Sequence, residues 1–189
     1  MTPFYAQTPD ALPKRKDVLA LSGLEFMLAV LSGSISNPPI GQTLGYQLAS
    51  VEDGRVTFRG TPEFGTLNPM GTVHGGWYGT LLDSAMACAV MTKVPRGSVY
   101  TTLEYKVNIT RAIPLGVEIV AEGVVSHAGR STGVAEGTIR DAATGKLVGG
   151  ADINEPGLAT VEIEVIDGEL FGDGAAAAVL QSGPAVTAG

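Results

Sequence analysis

Apolar positions along this chain change their period several times, and each change marks an element. Residues 1–16 show little pattern and read as an N-terminal arm, with three prolines in the first thirteen residues making that stretch mobile. Val18, Leu21, Leu24, Phe26, Leu28, Val30 and Leu31 then fall at helical spacing. They predict a leading helix over 17–33, ended by Asn37-Pro38-Pro39. From Thr43 to Val51 the chain reads as a strand, followed by a Glu52-Asp53-Gly54 hairpin turn and a half-buried strand over Arg55 to Thr61. After a loop over Pro62 to Thr72, a second helix opens at Gly75 or Gly76 and runs to about Thr92; it is apolar on nearly every side. Next comes a long period-2 strand, Ser98 to Thr110, which places Val99, Thr101, Leu103, Tyr105, Val107 and Ile109 on one face. Strands over Val117 to Ala128 and Ser131 to Asp141 follow, separated by Gly129-Arg130. Either Lys146 to Ile153 or Leu158 to Ile166 is the last strand. Residues 168–189 are mostly glycine and alanine and read as a tail without a packed core.

This order predicts an α+β domain over 17–167, with an antiparallel sheet wrapped around one long buried helix. Separate helix and strand layers in an ordinary α+β sandwich are the alternative. A length of 189 residues suits one domain with a real core.

Charge narrows the functions. The net charge is −7 and the pI about 4.7, which argues against non-specific binding of nucleic acid. The longest apolar-rich stretch, Trp77 to Met91, carries an acid and is too short to span a bilayer, so no membrane role is expected. One cysteine, Cys88, permits no internal disulfide, and with two histidines it cannot build a zinc cluster unless carboxylates join. No secretory leader pattern is seen at the N-terminus. A cytoplasmic setting is the simplest expectation.

The chemistry concentrates in residues 68–83. Asp83 is a lone carboxylate among Leu81, Leu82, Ala85, Met86, Ala87, Cys88, Ala89 and Val90, and burying it is costly without a partner or a chemical task. At the start of the same helix, His74-Gly75-Gly76 offers free backbone N–H groups, a partial positive charge and room for a ligand to reach the backbone. This is a seat for a carbonyl oxygen that becomes negative, with Asp83 as nucleophile or general base on the carbonyl carbon. One helix cannot supply both groups. Eight residues separate Gly75 from Asp83, about 12 Å along the axis. Two antiparallel copies of the helix across a two-fold axis bring Gly75 of one subunit to Asp83 of the other, so the monomer is expected to be inactive.

The run Gly71-x-x-His74-Gly75-Gly76 with Leu81-Leu82-Asp83 resembles the hotdog-fold acyl-CoA thioesterases of the PaaI-like branch (phenylacetic acid degradation type). Gly23-Leu24-Glu25-Phe26, Leu31-x-Gly33, Val51-Glu52-Asp53-Gly54-Arg55-Val56, Arg111-Ala112-Ile113-Pro114-x-Gly116 and His127-x-Gly129-Arg130 carry the resemblance across residues 20 to 150. It implies hydrolysis of an acyl-CoA to a free acid and coenzyme A, with no cofactor beyond the coenzyme A of the substrate. It also implies a homodimer or dimer of dimers with sites at the subunit interface. Asp83 matches the acid that attacks the thioester or activates water, and Gly75 the glycine whose N–H polarises the carbonyl. Asn68 matches a polar residue that helps hold the carbonyl or water, and His74 a histidine supporting the loop and the sulfur region. Thr101 or Thr102 matches a hydroxyl that orients the water. Arg130, Ser131 and Thr132 match a turn that touches the nucleotide end of coenzyme A, with Arg111 assisting, and Gly76 belongs to the substrate-binding turn. The chain departs from the family where Gly149-Gly150-Ala151-Asp152 and Asn154-Glu155-Pro156-Gly157 interrupt the last strand.

Plainer roles exist for several of these residues. Asp83 could pair with a buried polar group, His74 could bond only backbone, and Arg130 could be merely solvated. Cys88 reads as an inert buried thiol, Trp77 and Tyr78 as core or channel walls, and His127 as structural. The rival function is a non-catalytic, regulatory acyl-CoA-binding hotdog protein. A hydratase of the same fold needs an Asp/His pair placed differently from anything in this sequence.

Overall fold

A computed structural model describes residues 3–109, 111–150 and 159–167 of the chain. Helices α1 (Arg15–Leu19), α2 (Gly23–Ser32) and α3 (Pro39–Leu44) lead into strands β1 (Tyr46–Glu52) and β2 (Arg55–Gly60). Helix α4 (Gly75–Met91) follows, then β3 (Ser98–Lys106), β4 (Ile119–Ala128), β5 (Thr132–Asp141), β6 (Leu147–Gly150) and β7 (Ala159–Asp167). All seven strands join one antiparallel sheet in the order β1-β2-β4-β5-β7-β3, with β6 also on β5. The wrapped-helix arrangement, a hotdog fold, is the one formed.

Helix α4 is the axis of the core. Eleven of its seventeen residues are buried, on all sides, so its sequence carries no polar stripe. It packs on β2, β4 and β5 and also touches β3 and β7. Close approach is bought by glycine: a Cβ at Gly123 of β4 would sit 2.3 Å from the Ala85 carbonyl oxygen, and one at Gly137 of β5 2.7 Å from Met86 Cγ. Trp77 and Tyr78 are core residues, the Trp77 indole donating to the Leu44 carbonyl at 2.9 Å and the Tyr78 hydroxyl accepting from the Ile113 N–H at 2.7 Å.

The N-terminal region differs from the expected arm and single leading helix. Residues 4–6 are docked rather than free: the Ala6 N–H donates to the Asn37 carbonyl at 2.9 Å, the Asn37 N–H to the Phe4 carbonyl at 2.6 Å, and Ala6 is buried. The predicted 17–33 helix is two helices. Ser22 caps α2 in a reciprocal box with Glu25, each satisfying a backbone N–H of the other, and this restarts the helix after α1. Gly33, at φ 78°, ends α2 in a left-handed cap. Pro38 and Pro39 therefore terminate nothing; Pro39 opens α3 at a position where a missing N–H costs nothing.

Both candidate last strands exist, and together they occupy one place in the sheet. On β5, Gly137 pairs with Ala159 while its neighbour Thr138 pairs with Gly150. Gly150 and Ala159 thus take adjacent places opposite β5, and residues 151–158, where most of the expected interruption falls, lie outside the described residues. The predicted tail, 168–189, lies outside the described residues.

A bulge corrects the expected face of β3. Pairing with β7 skips Leu103 between Thr102 and Glu104. One extra residue reverses the alternation. Before the bulge Tyr100 and Thr102 face the core and α4; after it Tyr105 and Val107 do. The face predicted over Val99, Thr101 and Leu103 is therefore the opposite one.

Candidate active site

A closed loop presents the start of α4. Leu67 bridges Val73, and the His74 N–H donates to the Thr66 carbonyl at 2.8 Å. Asn68 holds the turn between them: its Oδ1 accepts from the Met70 and Thr72 N–H groups at 2.9 and 3.2 Å, and its Nδ2 donates to Thr72 Oγ1 at 2.8 Å. His74 is the helix N-cap, and its Nδ1 accepts the Gly76 N–H at 2.9 Å. That bond requires the ring proton on Nε2. Gly76 is thereby satisfied, whereas the Gly75 N–H meets no acceptor among the described residues. One exposed donor remains at the positive end of a seventeen-residue helix.

Strand β3 runs antiparallel along α4 and lines the face that carries Gly75, Gly79 and Asp83. Ile109 lies 3.3 Å from where a Gly75 Cβ would stand, and the Tyr105 ring 3.3 Å from that of Gly79. At the end of this ladder, Thr102 Oγ1 donates to Asp83 Oδ1 at 3.0 Å. Thr101 lies on the opposite face of the strand. Asp83 is half-buried, and desolvation raises its carboxyl above the usual range; the Thr102 bond offsets part of that rise. A carboxyl raised in this way is poised to take up and return a proton.

Cys88, five residues on, is desolvated until its thiol is pushed up to about 12, with the Asp83 charge adding to the effect. It is an inert thiol, as its surroundings in sequence predicted. Tyr46 Oη and Ser84 Oγ share a hydrogen bond of 3.0 Å beside it.

The expected residues fall into three groups. His74, Gly75 and Gly76 stand together, and Asp83 stands with Thr102, two turns further along. Arg130, Ser131 and Thr132 are exposed at the β4–β5 turn. Gly133, next to that turn, packs under Val90, at the opposite end of α4 from Gly75. Helix rise puts those ends about 22 Å apart. Arg111 is exposed near the Gly75 end, just beyond Ile109. Sequence reading passed over Gly79, Tyr105 and the Tyr46–Ser84 pair; the glycine one turn after Gly75 was the legible signal, because only a close neighbour requires a glycine inside a helix.

Among the described residues no group of three or more His, Cys, Asp or Glu side chains is placed to hold a metal ion, and no helix is long and apolar enough to cross a membrane.

Comparison with known proteins bears on this geometry. The thioesterase superfamily model matches residues 70–148, the stretch from the loop before His74 to β6. No curated protein matches the sequence. Among solved structures, a mutant of the phenylacetic acid degradation protein PaaI from Thermus thermophilus is 25% identical with a TM-score of 0.57, covering 67% of this chain and 97% of its own. A hypothetical thioesterase from Streptococcus pneumoniae, solved with coenzyme A, is 25% identical with a TM-score of 0.56, covering 67% and 91%. A conserved protein from Pseudomonas aeruginosa is 27% identical with a TM-score of 0.58, covering 67% and 93%. Helix, loop and sheet thus coincide with the matched stretch, and in fold and in that stretch the chain is similar to hotdog-fold thioesterases of the PaaI-like kind.

Proposed function

We propose that the protein hydrolyses acyl-CoA thioesters to a free acid and coenzyme A, in sites completed by a second copy of the chain. One observation carries this reading. A helix N-terminus with an unclaimed Gly75 N–H and a desolvated Asp83 carboxylate lie on one helix face, too far apart to act on one carbonyl. Two antiparallel copies join them. Among the described residues strand β3 ends the sheet, and Leu103 at its bulge and Tyr105 beyond it are each close to half accessible. An unpaired edge of this kind is a template for a second copy.

In that arrangement Asp83 of one copy takes a proton from water as its oxygen bonds to the thioester carbon. The carbonyl oxygen becomes an oxyanion held by the other copy's Gly75 N–H. Collapse breaks the C–S bond, and Asp83 returns the proton to the departing sulfur. If Asp83 instead bonds the carbon directly, the C–S bond breaks to leave a mixed anhydride and the coenzyme A thiolate. Water then cleaves the anhydride to the free acid and Asp83 while its proton goes to the thiolate. Attack of that water on the Asp83 carboxyl carbon labels the residue in a single turnover in heavy-oxygen water, which the general-base route cannot do. Thr102 holds the carboxylate in both. Of Thr101 and Thr102, Thr102 is proposed as the hydroxyl that also orients the water, since it faces Asp83, and Asn68 as the residue that shapes the carbonyl seat through its turn. His74 fixes Gly76 and keeps the Gly75 N–H aimed outward.

The same alignment sets the Val90 end of one helix beyond the Gly75 end of the other. Arg130, Ser131 and Thr132 of one copy then flank Arg111 of the other, where the nucleotide of coenzyme A leaves the site. The route needs no metal or organic cofactor. A cytoplasmic setting fits the single cysteine.

A panel of acyl-CoAs, followed by free-thiol release for wild type and Asp83→Ala, tests the proposal. Turnover by wild type that falls ~100-fold or more in the variant is expected. Equal rates remove Asp83 from the mechanism, and tight binding without turnover turns the reading towards an acyl-CoA-binding module.

A further inference from the structure

Gly79 lies midway between Gly75 and Asp83, about 6 Å along α4 from either. An antiparallel pairing that brings Gly75 of one copy to Asp83 of the other therefore brings Gly79 to Gly79, and the two-fold axis crosses α4 at this residue. Strand β3 and the residues after it mark the same level. Ile109 stands at Gly75 and Thr102 bonds Asp83, so the inward-facing residue nearest midway is Tyr105, and its ring lies on Gly79.

The fit of this tyrosine to this glycine is close. A Cβ at Gly79 would stand 3.3 Å from both Tyr105 Oη and Cε2, nearer than the ~3.5–4.0 Å of relaxed carbon contacts. The hydroxyl end of the ring thus rests over the helix backbone. A single chain leaves Tyr105 48% exposed, and its hydroxyl has no hydrogen-bond partner among the described residues. The polar groups beside it are engaged elsewhere: Thr102 donates to Asp83, and the Tyr78 hydroxyl accepts from Ile113. A tyrosine hydroxyl buried at an interface needs a partner. A residue on a two-fold axis meets its own counterpart, and a hydroxyl, being donor and acceptor at once, can pair with another hydroxyl.

We infer that Tyr105 of one copy meets Tyr105 of the other on this axis, and that the two rings are the spacer that holds each Gly75 N–H in reach of the other copy's Asp83. Both sites lie about 6 Å from the axis, so a change of ring size there moves donor and carboxyl relative to each other at both sites at once. Tyr105 acts through the two helices and is a positioning residue. A displacement of ~1 Å at the reacting groups costs ~100-fold in rate. The inference rests on the shared-site reading and adds the residue that sets its geometry.

Cross-linking of the full chain tests the placement. Tyr105→Cys puts two thiols on the axis, within the ~4.4–6.8 Å Cα separation a disulfide demands, so mild oxidation should give a covalent dimer. Leu103→Cys, two residues away on the same strand, holds its copies ~13 Å apart and should not. Wild type, with the inert Cys88 alone, is the blank. Thiol release from acyl-CoA, measured on dimers verified by sedimentation, reads the role. Tyr105→Phe keeps the spacer and should hold kcat within ~10-fold, the worth of about one hydrogen bond. Tyr105→Ala should lower kcat ~100-fold with KM little changed. Gly79→Ala crowds the ring and should lower kcat in wild type, yet add nothing to Tyr105→Ala. Cross-linking no faster at Tyr105→Cys than at Leu103→Cys, or wild-type kcat in Tyr105→Ala dimers, overturns the inference and leaves the acyl-CoA reading standing. No thiol release by wild type from any acyl-CoA overturns that reading and the spacer role with it.

Discussion

Two inactive variants should restore activity when they share a dimer. Gly75→Pro deletes the proposed oxyanion donor with little other change: Gly75 is the first residue of α4, where proline is favoured, and His74 before it, at φ −64° and ψ 137°, already has the extended backbone a following proline demands. The nearest obstacle is the flexible Ile109 tip, 3.3 Å from a Cβ at that position. Loss of one such donor costs about 3–4 kcal/mol, or ~10²–10³-fold in kcat. Asp83→Asn removes the base and should cost ~10²–10⁴-fold. Each homodimer is then inactive at both sites. In a mixed dimer of shared sites, one site combines both defects and the other has neither. Random pairing of equal amounts makes about half the dimers mixed, so total activity should recover to ~25% of wild type. The variants are co-refolded, sedimentation or native mass spectrometry verifies the mixed species, and thiol release is measured. Recovery no greater than that of the separate variants, with mixed dimers present, refutes the shared site.

Other outcomes follow from the same geometry. Thr102→Val removes a bond that favours the ionised Asp83, so its carboxyl should rise further and the acidic limb of the kcat/KM profile should move to higher pH; an unmoved limb detaches Thr102 from the mechanism. Asp83→Asn should melt at a higher temperature than wild type near neutral pH. The folded Asp83 carboxyl is raised, so the folded state holds its proton more tightly than the unfolded chain, and stability is lost as pH rises through the folded value. The difference between the two proteins should therefore shrink below the ordinary carboxylate range, and thermal melts across pH check it. Gly123→Ala should destabilise by roughly 1–3 kcal/mol or more, because its methyl would meet the Ala85 carbonyl at 2.3 Å; an unchanged denaturation midpoint would show that α4 can shift off the sheet.

Sequence alone determined the elements whose cause is local. An almost wholly apolar run made α4 a buried helix, period-2 runs with turn residues made the strands, and Asp83 within that run marked the candidate site. Spacing even carried the two-chain proposal, since helix rise is fixed wherever a helix forms. What escaped the pattern depends on contacts between distant residues. The bulge at Leu103 reversed one face of β3, because register is set by pairing with β7 and not by the strand's own alternation. Ser22 and Glu25 split the leading helix through a reciprocal cap that outweighed an uninterrupted apolar face. Proline spacing read as looseness in the arm, yet Asn37, more than thirty residues away, holds it in place. An apolar pocket beside Asp83 is drawn from the arm, α2, β1, α4 and β3. No single segment encodes it: its volume exists only where separate elements stop short of one another.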